Sequence, residues 1–545
     1  MKKHQLASLT ACLLVVLICL TSLKTKAGET PVVLREWAAF AGNTDSAFVV
    51  PVLSDGDYTY SATYKAGLPN GVDIVLTKYD KDGHSVWQIF WTGSGVGRDQ
   101  PSDMVMDEDF IYLSGITYSS ANNYDFLTMQ ISKTNGSIGW EKTFNSSFSN
   151  YDVATSIGIF NNALYVTGVS YQQATLADYH TIKYNLSGDL IWQQDFDYGS
   201  LMDIPFDLSI SEEDSTIVIT GASQSSVTDW DYQTVIYDST GAIVSQPRTS
   251  GSTAGFDRAS AVKTDENGFI YITGATRGGN GDFDIKTVKL HPNGNLVWAD
   301  TYDSGGDDIG NDLLVDKSGN VYICGESHGN DKDFFVRKYD SARNTLWTVS
   351  IDGDNYEDIA YKMCFDSDSN IIVTGKGFNP QTYNYDFLTV AFKPNGTEMW
   401  RDYFDGPDHG VDEARNIVAD TSGNIFVTGQ VEYSGEFPTV TIKYRTDFFN
   451  PPPTVDSPAV AYLFYPNEGQ ILDSQDSSIT DSTHYYSIHH YPQLYFGYGV
   501  MNMVFSTTDL DTATADTTHR VDVSFLNSTN PTEAFPVNEN DTSAF

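Results

Sequence analysis

The chain has 545 residues, 72 acidic against 31 basic, a formal net charge of −41 and four cysteines. A field of that sign repels nucleic acid and anionic lipid surfaces and favours cations or neutral polar ligands. So few cysteines exclude a disulfide scaffold, so stability must come from buried core, and the chain is long enough for a large core or for two domains.

Residues 1–27 read as a secretory signal peptide: Lys2 and Lys3, an apolar run over 6–23, and the small residue Ala27 before Gly28. The unbroken apolar core is shorter than the roughly 20 residues of a spanning helix. Cleavage near Ala27 removes Cys12, Cys19 and four lysines, leaving Cys324 and Cys364 in a still more acidic chain. The expected destination is the exterior or the cell surface.

Over residues 28–446 the sequence repeats itself eight times at a period of about fifty residues. One marker is a Trp after a Gly or Asn turn, at Trp87, Trp140, Trp192, Trp298, Trp347 and Trp400, with one degenerate copy at 239–245. A second is a short apolar run ending in Gly, as in Val166-Thr-Gly168 and Ile272-Thr-Gly274. A third is an Asp opening an apolar run, as in Asp178-Tyr-His-Thr-Ile-Lys-Tyr184. Each unit therefore holds four short β-rich runs parted by Gly, Asn and Asp turns, and nothing shows a sustained helical period. The fold class is all-β, an eight-bladed β-propeller of four-stranded blades. A string of β-sandwiches would need about 100 residues per domain.

The ends give an independent check. The eighth repeat stops after its third run at Tyr444, whereas an orphan Trp run containing Trp37 lies at 34–40. The N-terminal strand is expected to complete the last blade and leave no exposed sheet edge.

The Gly-Asn-x-Tyr-Ile-Thr-Gly, Asp-x-x-x-x-Lys-Tyr and Gly-x-x-x-Trp runs together resemble the SBBP-type β-propeller repeat of exported bacterial proteins, over about residues 35 to 445. That resemblance implies the fold and a use in surface binding or adhesion. Residues 447–458, with Pro451, Pro452 and Pro453, read as a stiff linker. Residues 459–545 alternate as strands over 461–470, 493–505 and 519–526, and are similar to the opening of a β-rich, sandwich-like domain that accompanies such repeats. Only the first part of that domain is expected here.

An Asp opens the first strand of every blade: Asp45, Asp99, Asp152, Asp203 and Asp257, then Asp308, Asp358 and Asp412. Two readings stand. A residue present in all blades belongs to blade construction, its carboxylate accepting backbone N–H bonds, as the repeated Trp residues also belong to construction. Alternatively, carboxylates ringing the channel mouth attract Ca²⁺, with Asp308, Asp358 and Asp412 as the candidate ligands. Ligand contact is expected where blades differ, on the loop face, at Tyr118, Tyr171, Trp230, Arg277, His328, Tyr383 and His409. Aromatic rings among polar groups suit a carbohydrate or a protein segment in extended form.

Cys324 and Cys364 fall in adjacent blades, so a disulfide and two buried thiols are both compatible with the sequence. Nucleophile-elbow, zinc-protease and phosphate-loop motifs are lacking. The function expected is an exported binding, adhesion or scaffolding module. The alternative is a catalytic propeller, either carbohydrate-active or like the quinoprotein dehydrogenases, whose Trp-docking motif Gly-x-x-x-Trp also resembles. Those enzymes carry adjacent cysteines and a Ca²⁺-cofactor pocket, and this chain has no such cysteine pair.

Overall fold

The computed structural model describes residues 30–449, apart from 45–49, 69–70, 120–122, 147–150, 173–175, 227–228, 330 and 354–355, together with five strands between 472 and 536. The signal segment, Asp45 and most of the linker lie outside the described residues.

Eight four-stranded antiparallel blades make a closed ring, and the described residues contain no helix. Blade 1 is Val52–Ser54, Thr59–Leu68, Gly71–Tyr79 and Ser85–Trp91. Blades 2 to 7 follow at 100–144, 153–196, 203–249, 258–302, 309–351 and 359–404. Blade 8 takes Glu413–Ala419, Asn424–Gln430 and Phe437–Phe449 from the end of the repeats and Thr30–Thr44 from the beginning. In that joint Trp37 lies opposite Lys443 and Arg35 opposite Tyr444. Hydrogen bonds tie blade 8 to both neighbours: Arg35 donates to Asp402 through Nε at 2.7 Å and Nη2 at 2.8 Å, and the hydroxyls of Thr63 and Thr439 meet at 2.7 Å.

The repeat markers acquire their reasons from this packing. Second and third strands are covered on both faces, so Ile270, Tyr271, Ile272 and Thr273 are all buried in succession, the continuous pattern of a strand with no solvent side. The buried Thr bridges to a Thr on the third strand, as Thr374 does to Thr389 at 2.9 Å and Thr220 to Thr234 at 3.1 Å. The Gly after it sits against a bulge in the first strand. A Cβ on Gly274 would come within 2.8 Å of the Cα of Ala259, where the register slips between Ala259 and Ala261.

Each fourth-strand Trp docks beneath the next blade's outer turn and donates its indole N–H there. Trp37 reaches the carbonyl of Lys81 at 2.9 Å, Trp140 that of Leu186 at 3.0 Å, Trp298 that of Ser341 at 3.2 Å and Trp347 that of Pro394 at 3.1 Å. Trp87 and Trp192 bond Lys133 and Ser239 in the same way, and Trp400 uses the hydroxyl of Thr446. Blade 4, whose Trp copy is degenerate, has a fourth strand cut to Ile243–Ser245, and Arg248–Thr249 completes the pairing with the third strand.

Cys324 and Cys364 are both free thiols, and burial raises both above the usual thiol range. The C-terminal strands Leu472–Ile479, Tyr486–Phe496, Gly499–Thr507, Val521–Asn527 and Ala534–Pro536 form an antiparallel sheet in chain order. The strand expected over 461–470 lies outside the described residues.

Candidate functional site

The opening Asp residues define the geometry of one face. Asp99 accepts the N–H of Gly93 at 2.7 Å from the incoming loop, and the N–H of Tyr118 at 2.9 Å and hydroxyl of Thr117 at 2.8 Å from the end of the second strand. Asp308 does the same with Ser304 N at 2.6 Å and His328 N at 3.0 Å, and Asp358 with Gly353 N and Phe378 N, both at 2.6 Å. Asp152, Asp257 and Asp412 repeat the clamp on Tyr171, Arg277 and Glu432, whereas Asp203 holds Tyr198 N at 2.7 Å. Their backbone N–H groups reach across to the previous blade, as Asp308 N does to Phe283 O at 2.6 Å and Asp412 N to Tyr385 O at 2.8 Å. Lead-in loops, second-strand ends and third-strand beginnings therefore share one face.

These carboxylates turn toward the loops. The central space is lined instead by residues four positions further on: Asp103, Asp207, Asp312 and Lys362, from blades 2, 4, 6 and 7. Asp207 and Asp103 act on Lys362 although their blades are not its neighbours, which requires that all share the middle of the ring. Asp312, at 3.7 Å, is the main reason the Lys362 ammonium is held above its usual range. Burial shifts Asp103 upward. Asp103 also accepts Ser156 Oγ at 3.0 Å and Ile157 N at 3.1 Å, so the wall is stitched from blade to blade.

The residues expected to contact a ligand all lie on the loop face, spread over successive blade junctions instead of one pocket. Tyr118 meets Tyr124 edge-on at 5.0 Å, and Tyr124 stacks on exposed Tyr151 at 4.8 Å. Tyr171 lends its N–H to the Asp152 clamp and its carbonyl to Ser146. Trp230 packs against Phe256 at 5.5 Å, and the Arg277 guanidinium lies 4.5 Å from the Phe283 ring centre. His328 has a buried Nδ1 with no hydrogen-bond partner, while His409 pairs with Asp405. Tyr383, 79% exposed, stands edge-on to Phe378, which carries Tyr356 stacked at 3.8 Å.

Tyr151, Phe256 and Tyr356 are the rings that sequence reasoning missed. The signal was present: each lies one or two residues before an opening Asp.

On the same face, carboxylates from three segments converge at alternate blade junctions. The Asp that opens a third strand, an Asp just after the fourth strand, and the opening Asp of the next blade bring oxygens within 4.8 Å of one another in Asp178, Asp197 and Asp203, in Asp284, Asp303 and Asp308, and in Asp386, Asp405 and Asp412. Asp331, Asp333 and Asp352 make a related group between blades 6 and 7. Burial pushes Asp284 up to about 6, reinforced by Asp303, and Asp412 up to about 8, reinforced by Asp386 and Asp405. Of the three candidate metal ligands, Asp308 and Asp412 belong to such groups, while Asp358 stands beside Asp333 and Asp352, whose charges act on it. A separate cavity of about 330 Å³ lies far from this chemistry, lined by Lys142, Tyr184 and Leu190 among others.

Residues 303–331 match the SBBP family model, a beta-propeller repeat. No curated protein sequence matches the chain. Among solved structures, it is similar to the quinohemoprotein alcohol dehydrogenase of Comamonas testosteroni, at 10% identity and TM-score 0.47 over 76% of each chain. A europium-containing methanol dehydrogenase gives 10% identity and TM-score 0.47, over 76% of this chain and 93% of that one. The Pan2 WD40 domain of Neurospora crassa gives 11% and 0.38, over 63% and 88%.

Proposed function

We propose that this chain, a propeller carrying the SBBP beta-propeller repeat, is an exported binding module that takes a carbohydrate or an extended peptide across its loop face. The observation that carries the reading is the set of aromatic rings presented there. Tyr151, Phe256, Tyr356 and Tyr383 are exposed, and each is braced from beneath or beside by a second ring. A braced ring offers a flat apolar surface at little cost in side-chain entropy, and the surrounding carboxylates and amides supply hydrogen-bond acceptors and donors for hydroxyl groups. The strongly acidic surface disfavours anionic ligands and selects neutral or basic ones. The spread of rings over several junctions suits an extended chain more than a small molecule, which would need one deep pocket.

Glycan and peptide arrays probed with the intact chain, followed by calorimetry on the hits, test the proposal. Tyr356→Ala with Tyr383→Ala should weaken a hit by at least about tenfold, the loss of roughly 1.4 kcal/mol, while leaving the melting temperature nearly unchanged. Absence of any hit, or hits indifferent to every ring on this face, would leave a spacer as the better description.

A further inference from the structure

The carboxylate groups at the blade junctions have a feature that blade construction does not explain. Asp308 and Asp412 are occupied by backbone N–H groups, and a construction role accounts for them. Asp284 and Asp386 are different. Asp284 is 6% exposed, and its buried Oδ1 has no hydrogen-bond partner. Asp386 is fully buried; Oδ2 accepts Asn379 at 2.6 Å and Thr382 at 3.1 Å, but Oδ1 has none. The buried Oδ1 of Asp405, in the same group as Asp386, is also without a partner. A buried acceptor left unmade costs about 1–3 kcal/mol, more when charged. Such an oxygen recurs in Asp73 and Asp125, which also open third strands, but Asp284 and Asp386 set it beside two further carboxylates, one of them an opening Asp already occupied in construction.

The junction between blades 4 and 5 shows what satisfies the site. Asp231 opens the third strand there as Asp284 does in blade 5. Ser250 replaces the acid after the fourth strand, since Gly251 next to it donates to Asp257 as Ser304 next to Asp303 donates to Asp308. With that carboxylate missing, a cation from the chain takes the place: Arg248 Nε donates to Asp231 at 2.7 Å and Nη2 to the carbonyl of Ser223 at 2.9 Å. Where three carboxylates are present, the two groups centred on Asp284 and Asp386 have no Lys or Arg ion pair among the described residues.

We propose that the junctions between blades 5 and 6 and between blades 7 and 8 each bind a divalent cation, on Asp284, Asp303 and Asp308 and on Asp386, Asp405 and Asp412. All-oxygen carboxylate donors select a hard cation, and Ca²⁺ accepts the irregular geometry that loop residues offer where Mg²⁺ would demand an octahedron. The ion joins the end of one blade's fourth strand to the start of the next blade, on the same loop face as the aromatic rings. His409 on Asp405 is a competing partner at the second site.

Calorimetry and thermal melting of the full chain test this, with CaCl₂ against a chelator. Titration to about 10 mM covers the 10⁻⁴–10⁻³ M affinities of extracellular modules. The expected result is a Ca²⁺-dependent rise in melting temperature, with binding stoichiometry falling by one in Asp284→Asn. The control Asp231→Asn, at the Arg-filled junction, should leave the stoichiometry unchanged. Should Asp284→Asn fail to fold, Tb³⁺ luminescence sensitised by the neighbouring Tyr302 should be displaced by Ca²⁺ in the unaltered chain and reduced in Asp303→Asn. No binding heat and no Tb³⁺ signal displaced by Ca²⁺ would overturn the proposal. So would a stoichiometry indifferent to both Asp284→Asn and Asp303→Asn.

Discussion

A single Asp per blade serves two loops, and burial makes that service depend on pH. The clamp needs an acceptor of several N–H bonds at a place water cannot reach, which a carboxylate meets and which raises the free energy of its charged form. Asp125, which opens a third strand beside the clamp residue Asp152 where Asn145 stands after the fourth strand, shows the effect of the same burial without a third acid nearby. Burial first, and the charge of Asp152 second, push it up to about 6 from a usual 3.8. A folded-state value above the unfolded one means that the protonated form is favoured by folding. The associated stability is complete below the unfolded value and is lost as pH rises through about 6. Melting temperature in chelator should therefore fall between pH 5 and pH 7, and Asp125→Asn should flatten that slope; an unchanged slope would assign the effect to other groups.

At the scale of the strand, the Trp is the link between blades. Its ring packs beside an aromatic of the following third strand, as Trp298 does on Tyr339 at 6.1 Å, and its N–H holds the next blade's turn. Burial of a ring of this size dominates the exposed outer edge, where Leu296 and Val297 still face solvent. Trp298→Ala removes both contributions and should destabilise the ring by about 3–5 kcal/mol, read as a lower urea midpoint. Blade 4, with Ser245 where a Trp would stand, shows the same loss in nature: its fourth strand is the shortest of the eight and needs Arg248–Thr249 to continue the pairing.

The whole molecule depends on its two ends meeting. Without Thr30–Thr44 the strand Phe437–Phe449 becomes a free edge, and the Arg35–Asp402 and Trp37–Lys81 bonds vanish. An exposed edge of that length is a template for pairing with other chains. Deleting residues 30–44 should convert the protein into aggregating material by size-exclusion chromatography, and a peptide of residues 28–44 added during refolding should restore the elution of the intact chain. Survival of a non-aggregating, cooperatively melting deletion variant would contradict closure as the source of stability.

The sequence by itself determined the fold. Period, blade number and the pairing of Trp37 with the strand through Tyr444 were all legible, because each blade solves the same packing problem and so writes the same residues at the same places. The candidate site was only half legible. Opening Asp residues are regular and visible, but the acids that join them come after the fourth strand, at Asp303 and Asp405, with unequal spacing to Asp308 and Asp412. The rings Tyr151 and Phe256 likewise pack on Tyr124 and Trp230 of the preceding blade, whereas Tyr356 stacks on Phe378 of its own blade. Which carboxylates converge, which oxygen stays without a donor, and where Arg248 replaces a third acid are decided across blade junctions. Only the closed ring brings those loops to one face, since their separation along the chain leaves no periodic trace.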